Sequence, residues 1–257
     1  MVKKCLHILP GVLLCLFALA VLSPVAILAV QSVTGEEGFT LSAYGEFFVW
    51  QPTLVRSLVN SLLISLTASG GTIVVALLAA YVFAKVKFHG SGVIFYLYII
   101  MMLLPFQVTM LPQYIISKNL TLYDTPAALI LPGIFSPFAV FLLTQVMKSV
   151  PGEILEAARL DTGSTLVILG KIILPIIRPG ILCAWVLSFT EFWNMVAEPL
   201  ILLETRAKYP LAIMLDGIKA ADALAFGGCV VFFVFPLLLF GLFAEEVMEG
   251  LGEYRLK

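Results

Sequence analysis

Few residues of this 257-residue chain can do chemistry, and none stands in a catalytic pattern. Its two histidines, His7 and His89, are far apart. Its four cysteines, Cys5, Cys15, Cys183 and Cys229, form no C-x-x-C pair. They sit in or beside apolar runs, where cysteine serves as a small buried hydrophobe. A phosphate-cradling loop needs G-x-x-x-x-G-K-[ST]. The nearest approach, Gly170-Lys171, has threonine at 165 and isoleucine at 172. Neither H-E-x-x-H nor G-x-S-x-G occurs. The chain is therefore expected to be no enzyme and to hold no metal and no cofactor of its own.

Ionisable groups within apolar runs are costly and often functional. Glu191 is the notable one, late in the fifth apolar run, with Asn194 three residues on and so on the same helical face. Two readings stand open: a polar lining of a solute pathway, or an interfacial position with Trp193 as a belt aromatic. Gln107 is a third pathway candidate, with a helix–helix hydrogen bond as its alternative. Phe95, Tyr96 and Tyr98 can stack on sugar faces, although at these spacings packing and lipid contact suit them better.

The segment from about Lys148 to Lys171 reads as two short helices joined by a turn. Pro151 suits a first helical turn, where a missing N–H costs nothing. Glu153 and Glu156 lie near that helix's positive end, and Glu156-Ala157-Ala158-Arg159-Leu160 continues it with good helix formers. Gly163 is expected to take a left-handed cap. Ser164 is expected to cap a second helix, Thr165–Ile173, which Pro175 ends. Physics alone leaves two readings: a docking element, or an amphipathic loop lying on the membrane surface.

The elements that must position these residues are membrane helices. Hydrophobic residues make up 61% of the chain and charged ones 12%, against roughly 45–50% and 25% in an ordinary soluble domain. A net charge of −1 gives no basic field for nucleic acid. A span needs roughly 20 apolar residues, and six stretches qualify: about 8–30, 60–84, 92–116, 125–147, 176–203 and 224–244. The first run is about 23 residues long, beyond a cleaved signal core of roughly 7–15, so an uncleaved helix is expected. Pro105 and Pro112 offer kinks in the third span. The Gly70-Gly71 pair, beside Ser69 and Thr72, offers close helix contact in the second.

Lysine and arginine set the orientation. With a cytoplasmic N-terminus, ten of the fifteen fall inside: Lys3, Lys4, Lys85, Lys87, Lys148, Arg159, Lys171, Arg178, Arg255 and Lys257. The remaining five, Arg56, Lys118, Arg206, Lys208 and Lys219, fall outside. Both termini are then cytoplasmic. The outer loop 31–56 is acidic, with Glu36, Glu37 and Glu46. The C-terminal glutamates Glu245, Glu246, Glu249 and Glu253 suit a solvated inner face or contact with a partner.

Glu156-Ala157-Ala158, followed by Ile172-Ile173-Leu174-Pro175, resembles the EAA loop of binding-protein-dependent ABC permeases. The spacing matches E-A-A, three residues, Gly, nine residues, I-x-L-P, except that Thr162 holds the glycine position and Gly163 follows it. Asp161 stands where that loop commonly has aspartate. Arg56–Leu62, Ala79–Ala84, Leu111–Tyr114, Leu120–Thr125, Trp193-Asn194 and Glu198–Leu202 resemble the sugar-importing, maltose-type branch over about residues 55–210.

The resemblance implies an all-α membrane protein of about six spans, the transmembrane domain of a type I ABC importer. Residues 1–55 would form the first helix and an acidic outer loop. Residues 56–257 would form the permease core, with the coupling loop at about 148–175. It further implies a multi-pass subunit of a bacterial-type cytoplasmic membrane. Its partners would be a second, non-identical permease, two ATPase subunits holding ATP and magnesium, and an external solute-binding protein. Glu156, Ala157, Ala158, Asp161, Gly163, Leu174 and Pro175 would couple nucleotide state to the gate. Solutes other than sugar (a polyamine, a phosphate ester or a peptide) use the same loop. A stand-alone carrier would show paired repeats and broken, charge-bearing helices, and neither is present in the sequence.

Overall fold

The computed structural model describes residues 2–35, 38–86, 88–218 and 223–252, with side chains from 11 to 250. Glu36, Glu37, Lys87, Lys219, Glu253, Arg255 and Lys257 lie outside these residues, as do the side chains of Lys3, Lys4, Cys5 and His7. Among the described residues the chain is almost wholly helical. The exception is one short antiparallel pair, β1 (Thr34–Gly35) with β2 (Gly38–Phe39).

α1 (Val2–Ser32) leads through β1 and β2 to α2 (Ser42–Gly45), a π turn (Glu46–Trp50) and α3 (Pro52–Lys85). α4 (Ser91–Met101), α5 (Phe106–Asn119), α6 (Ala127–Gly133) and α7 (Pro137–Ser149) follow. Next come α8 (Gly152–Asp161), α9 (Thr165–Ile168), a second π turn (Leu169–Ile173) and α10 (Leu174–Ile176). α11 (Arg178–Trp193), α12 (Ala197–Leu202), a 3-10 turn (Arg206–Lys208), α13 (Leu211–Asp216), α14 (Ala223–Leu242) and α15 (Ala244–Gly252) complete the order. Contacts divide the chain into two compact units, residues 1–55 with 214–234, and residues 56–213 with 235–257.

Among the described residues four helical stretches are long and apolar enough to cross a membrane: Gly11–Ser32, Pro52–Lys85, Ala127–Ser149 and Ala223–Leu242. Two bent pairs, Ser91–Met101 with Phe106–Asn119 and Thr165–Ile176 with Arg178–Trp193, give up to six if each is counted as one span. The expected third span is not one rod: α4 and α5 meet at 96°. Pro105 causes the break, because the residue before a proline is pushed out of helical geometry. Pro105 itself has ψ 138 at the start of α5, while Pro112 stays inside that helix. The fifth span is α11, 16 residues long, or about 24 Å at 1.5 Å per residue. It falls short of a bilayer core of about 30 Å, and α12 resumes after a break at 194–196.

In the larger unit, one core joins α3 (Ala76, Ala80, Tyr81), α7 (Val140, Leu143, Met147) and the loop that follows α7 (Leu155, Ala158, Ile168, Ile173). A second cluster gathers Ile64, Met110, Leu129 and Leu202. The close contact offered by Gly70-Gly71 occurs at Gly71, where an added Cβ would lie 2.7 Å from Ile134 Cγ1. Thr72 Oγ1 beside it shares its one proton between Ala68 O of the same helix at 2.8 Å and Gly133 O at 3.1 Å, a contact from α3 to the end of α6. Phe95 stacks on Phe141 at 6.4 Å and packs against Phe83 at 5.2 Å, so its ring is committed to packing.

Candidate functional site

The loop between α7 and α11 is built by amphipathic spacing. Leu155 and Ala158, three residues apart, share one face of α8 and are buried. The opposite face presents Glu153, Glu156, Ala157, Leu160 and Asp161 to solvent. Glu153 lies in the first turn, where the helix dipole favours a carboxylate. Leu160 is 90% exposed and Leu166, across the turn, 72%. Both leucines stand beside exposed carboxylates, Glu156 and Asp161 among them. The loop's first residues are tied down by Lys85 Nζ, which donates to Val150 O at 2.6 Å.

The turn differs from its expected form. Gly163 is not left-handed: among the described glycines only Gly38 and Gly90 have positive φ. Thr162, at φ −149, ends α8 in extended geometry, and its Oγ1 accepts from Ser164 N at 3.3 Å. That side-chain turn does the work assigned to the glycine. Ser164 precedes α9 as expected, but its own side chain makes no cap bond. Pro175 does not end the second helix, which runs on to Ile176 before an 84° bend into α11. In the π turn ahead of it, Leu174 N donates to Leu169 O. The widened turn relieves the clash between a proline ring and the carbonyl four residues back. Leu174 is half-buried and Pro175 exposed.

At the other end of this unit, Asp124 organises a clasp. It adopts φ 58, a left-handed geometry that aspartate tolerates. Its Oδ1 accepts from Glu204 N at 3.0 Å and Thr205 N at 2.9 Å. Its Oδ2 accepts from Thr205 Oγ1 at 2.6 Å and Lys208 Nζ at 2.7 Å. Lys208 foremost, then the Thr205 hydroxyl and the two backbone amides, hold this carboxyl well below the usual carboxylate range. Asn60 Nδ2 donates to Ala207 O at 2.9 Å and Tyr209 O at 3.2 Å. Ser61 Oγ accepts from Leu211 N at 2.8 Å. The segment 204–211 is thus held from α3 and from the turn before α6.

A cavity of about 220 Å³ opens beside the breaks at 134–136 and 194–196, and Glu191, Glu198, Gln113, Thr109 and Ser136 line it. Its apolar walls include Phe106 and Phe192. Of the three sequence candidates it holds only Glu191. Asn194 Nδ2 folds back to Thr190 O at 2.9 Å and closes the end of α11. Gln107 is exposed on α5, and Gln113 of the same helix takes its place. Trp193 is no belt aromatic: it is fully buried, stacked on Phe189 at 5.5 Å and tilted on Phe235 at 5.3 Å.

Residues 72–251 match the family described as binding-protein-dependent transport system inner membrane component. The chain belongs to this family. It is 31% identical over 192 residues to the arabinooligosaccharides transport system permease protein of Bacillus subtilis, covering 73% of this chain and 68% of that one. It is 34% identical over 149 residues to the sn-glycerol-3-phosphate transport system permease protein of Agrobacterium fabrum, covering 58% and 53%. Its fold matches a chain in the crystal structure of a bacterial ABC transporter that imports the acidic polysaccharide alginate. The TM-score is 0.85 at 19% identity, covering 95% of this chain and 96% of that one. This protein is thus a mostly helical membrane permease component with the importer transmembrane fold.

Sequence reasoning did not single out the clasp residues, although Asp124 and Asn60 lie in the runs that resemble the maltose-type branch. Their partners stand as many as 149 residues away, and no local pattern announces such pairs. Glu198 carried a signal, a carboxylate seven residues after Glu191, but only the break at 194–196 brings both to one cavity.

Proposed function

We propose that this permease forms half of the translocation pathway of an ATP-driven importer of a carbohydrate. The loop at about 148–175 seats on a separate ATPase chain that binds ATP and magnesium. Glu156, Ala157, Asp161 and Gly163 face the ATPase, Ala158 packs inward, and Leu174 and Pro175 carry the movement to the hinge at Ile177. A second, non-identical permease completes the pathway, an external binding protein delivers solute, and both termini are cytoplasmic. The observation that carries this reading is the split of α8 into a buried face, Leu155 and Ala158, and a bare one ending in Leu160. Leu160 and Leu166, bare on either side of the turn and flanked by carboxylates, offer a partner chain an apolar contact with a charged rim. Family membership supports the same assignment.

The arabinooligosaccharide relative supports a sugar, and hydroxyl groups suit Gln113, Thr109 and Ser136 in the cavity. One observation favours a second solute class: Glu191 and Glu198 line that cavity and, among the described residues, no lysine or arginine does, which suits a polyamine. Uptake of a labelled neutral oligosaccharide and of a labelled polyamine by cells expressing the complete importer separates the two. ATP-dependent oligosaccharide uptake that excess polyamine leaves unchanged is expected. Uptake of the polyamine alone would replace the first reading with the second.

A further inference from the structure

A cleft of about 680 Å³ lies where α3 ends, α4 begins and α8 passes. Phe83, Phe88 and Leu155 form its apolar wall, and Lys85, Glu156 and Arg159 its charged edge, with Ser91 beside them. Lys85 is the last residue of the 34-residue apolar helix α3, so the cleft sits at the level where a span leaves the hydrocarbon. An ammonium has three donors, and Lys85 uses one on Val150 O. Among the described residues the one ion pair within 4.0 Å is Lys208–Asp124. Arg159 and Glu156, three residues apart on α8, are therefore not paired with each other.

We infer that this cleft binds one phospholipid, its phosphodiester on Lys85 and Arg159 and a headgroup hydrogen-bond donor on Glu156. Two cations and one carboxylate are the complement of an anionic phosphodiester next to an ammonium or hydroxyl group. Basic pockets where helices meet the membrane surface favour such headgroups. Phe83 and Phe88 give the acyl chains an apolar wall, which a free phosphate would leave empty. Ethanolamine and glycerol headgroups carry N–H or O–H donors for Glu156, whereas choline carries none. The site joins the membrane surface to α8, so lipid composition tunes the loop that the proposed function assigns to coupling. The headgroup and the proposed ATPase contact share Glu156, so in the assembled importer the inference rests on that reading, and its test reads lipid on the chain both alone and with its partners.

The test is native mass spectrometry of the purified full-length chain, alone and with its partners. Each sample is loaded from vesicles of phosphatidylethanolamine, phosphatidylglycerol and phosphatidylcholine in equal parts. Wild type is expected to retain an ethanolamine or glycerol lipid about tenfold over the choline lipid, the worth of one charge-assisted contact. Arg159→Gln should lose about tenfold in retention and Arg159→Lys most of that loss should regain. Lys171→Gln, an exposed cation outside the cleft, should change nothing. Equal retention by wild type and Arg159→Gln would overturn the site. Equal retention of choline lipid would overturn the role given to Glu156. Displacement by millimolar inorganic phosphate would show a free-anion site in place of a lipid one. Loss of lipid only when an ATPase is bound would show that a protein side chain fills the cleft.

Discussion

The loop around α8 and the clasp around Asp124 solve opposite problems. The loop is anchored by apolar burial through Leu155, Ala158, Ile168 and Ile173, and its charged and apolar outer residues are left bare. The clasp is anchored by directed polar bonds, and every oxygen of the Asp124 side chain is engaged within the chain. Burial is indifferent to direction and leaves the outer surface free for a partner. A hydrogen-bonded carboxylate fixes geometry and leaves nothing over. One end therefore keeps an outer surface free, as the proposed coupling requires, and the other holds its own shape.

The largest effect is expected where the loop meets its partner. Glu156→Lys or Ala157→Asp should abolish transport while the protein reaches the membrane at wild-type level, read by uptake and immunoblot. Normal uptake would remove these residues from coupling.

The loop's inner face should fail differently. Leu155→Asp places a carboxylate in the core and should cost about 3 kcal/mol or more, seen as lost folded protein in detergent. A folded Leu155→Asp chain would show that burial is not what anchors α8.

At the clasp the expected effect is smaller. Asp124→Asn should cost up to about 1 kcal/mol, because the pair is only half-buried and still screened by water. The folded-state carboxyl is depressed below its ordinary value, so its stabilisation is full above the ordinary aspartate range, near pH 4, and is lost as pH falls below it. Thermal midpoints taken from neutral pH downward should therefore fall more steeply below about pH 4 in wild type than in Asp124→Asn. Parallel curves would contradict the clasp.

The smallest effect separates sequence from structure. Gly163→Ala should be neutral or stabilise by about 0.5 kcal/mol, because Gly163 has no positive φ and an added Cβ meets nothing within 4 Å. A loss of stability there would restore the left-handed cap read from the sequence.

The helices, and the loop's two-helix form, were legible because apolar length and amphipathic spacing are local. The break before Pro105 was half-legible: a proline announces a kink, but whether it bends a rod slightly or turns it by 96° depends on what packs around it. Thr162 displaced Gly163 as the turn residue because a threonine hydroxyl can accept from the amide two residues on. The glycine was thereby freed from the geometry that would have required it. Pro175 failed as a stop because a π turn absorbs its ring. The Glu191 cavity and the Asp124 clasp were not legible, since both are assembled by residues brought together from distant turns.

The most direct measurement is recovery of the ATPase on the tagged, detergent-solubilised chain, compared between wild type, Glu156→Lys and Leu160→Asp at matched membrane levels. The account predicts an ATPase with wild type and its loss from both variants, since both residues lie on the bare face of α8. ATPase recovery undiminished in both variants would contradict it, as would solute movement by the chain alone in liposomes without ATP.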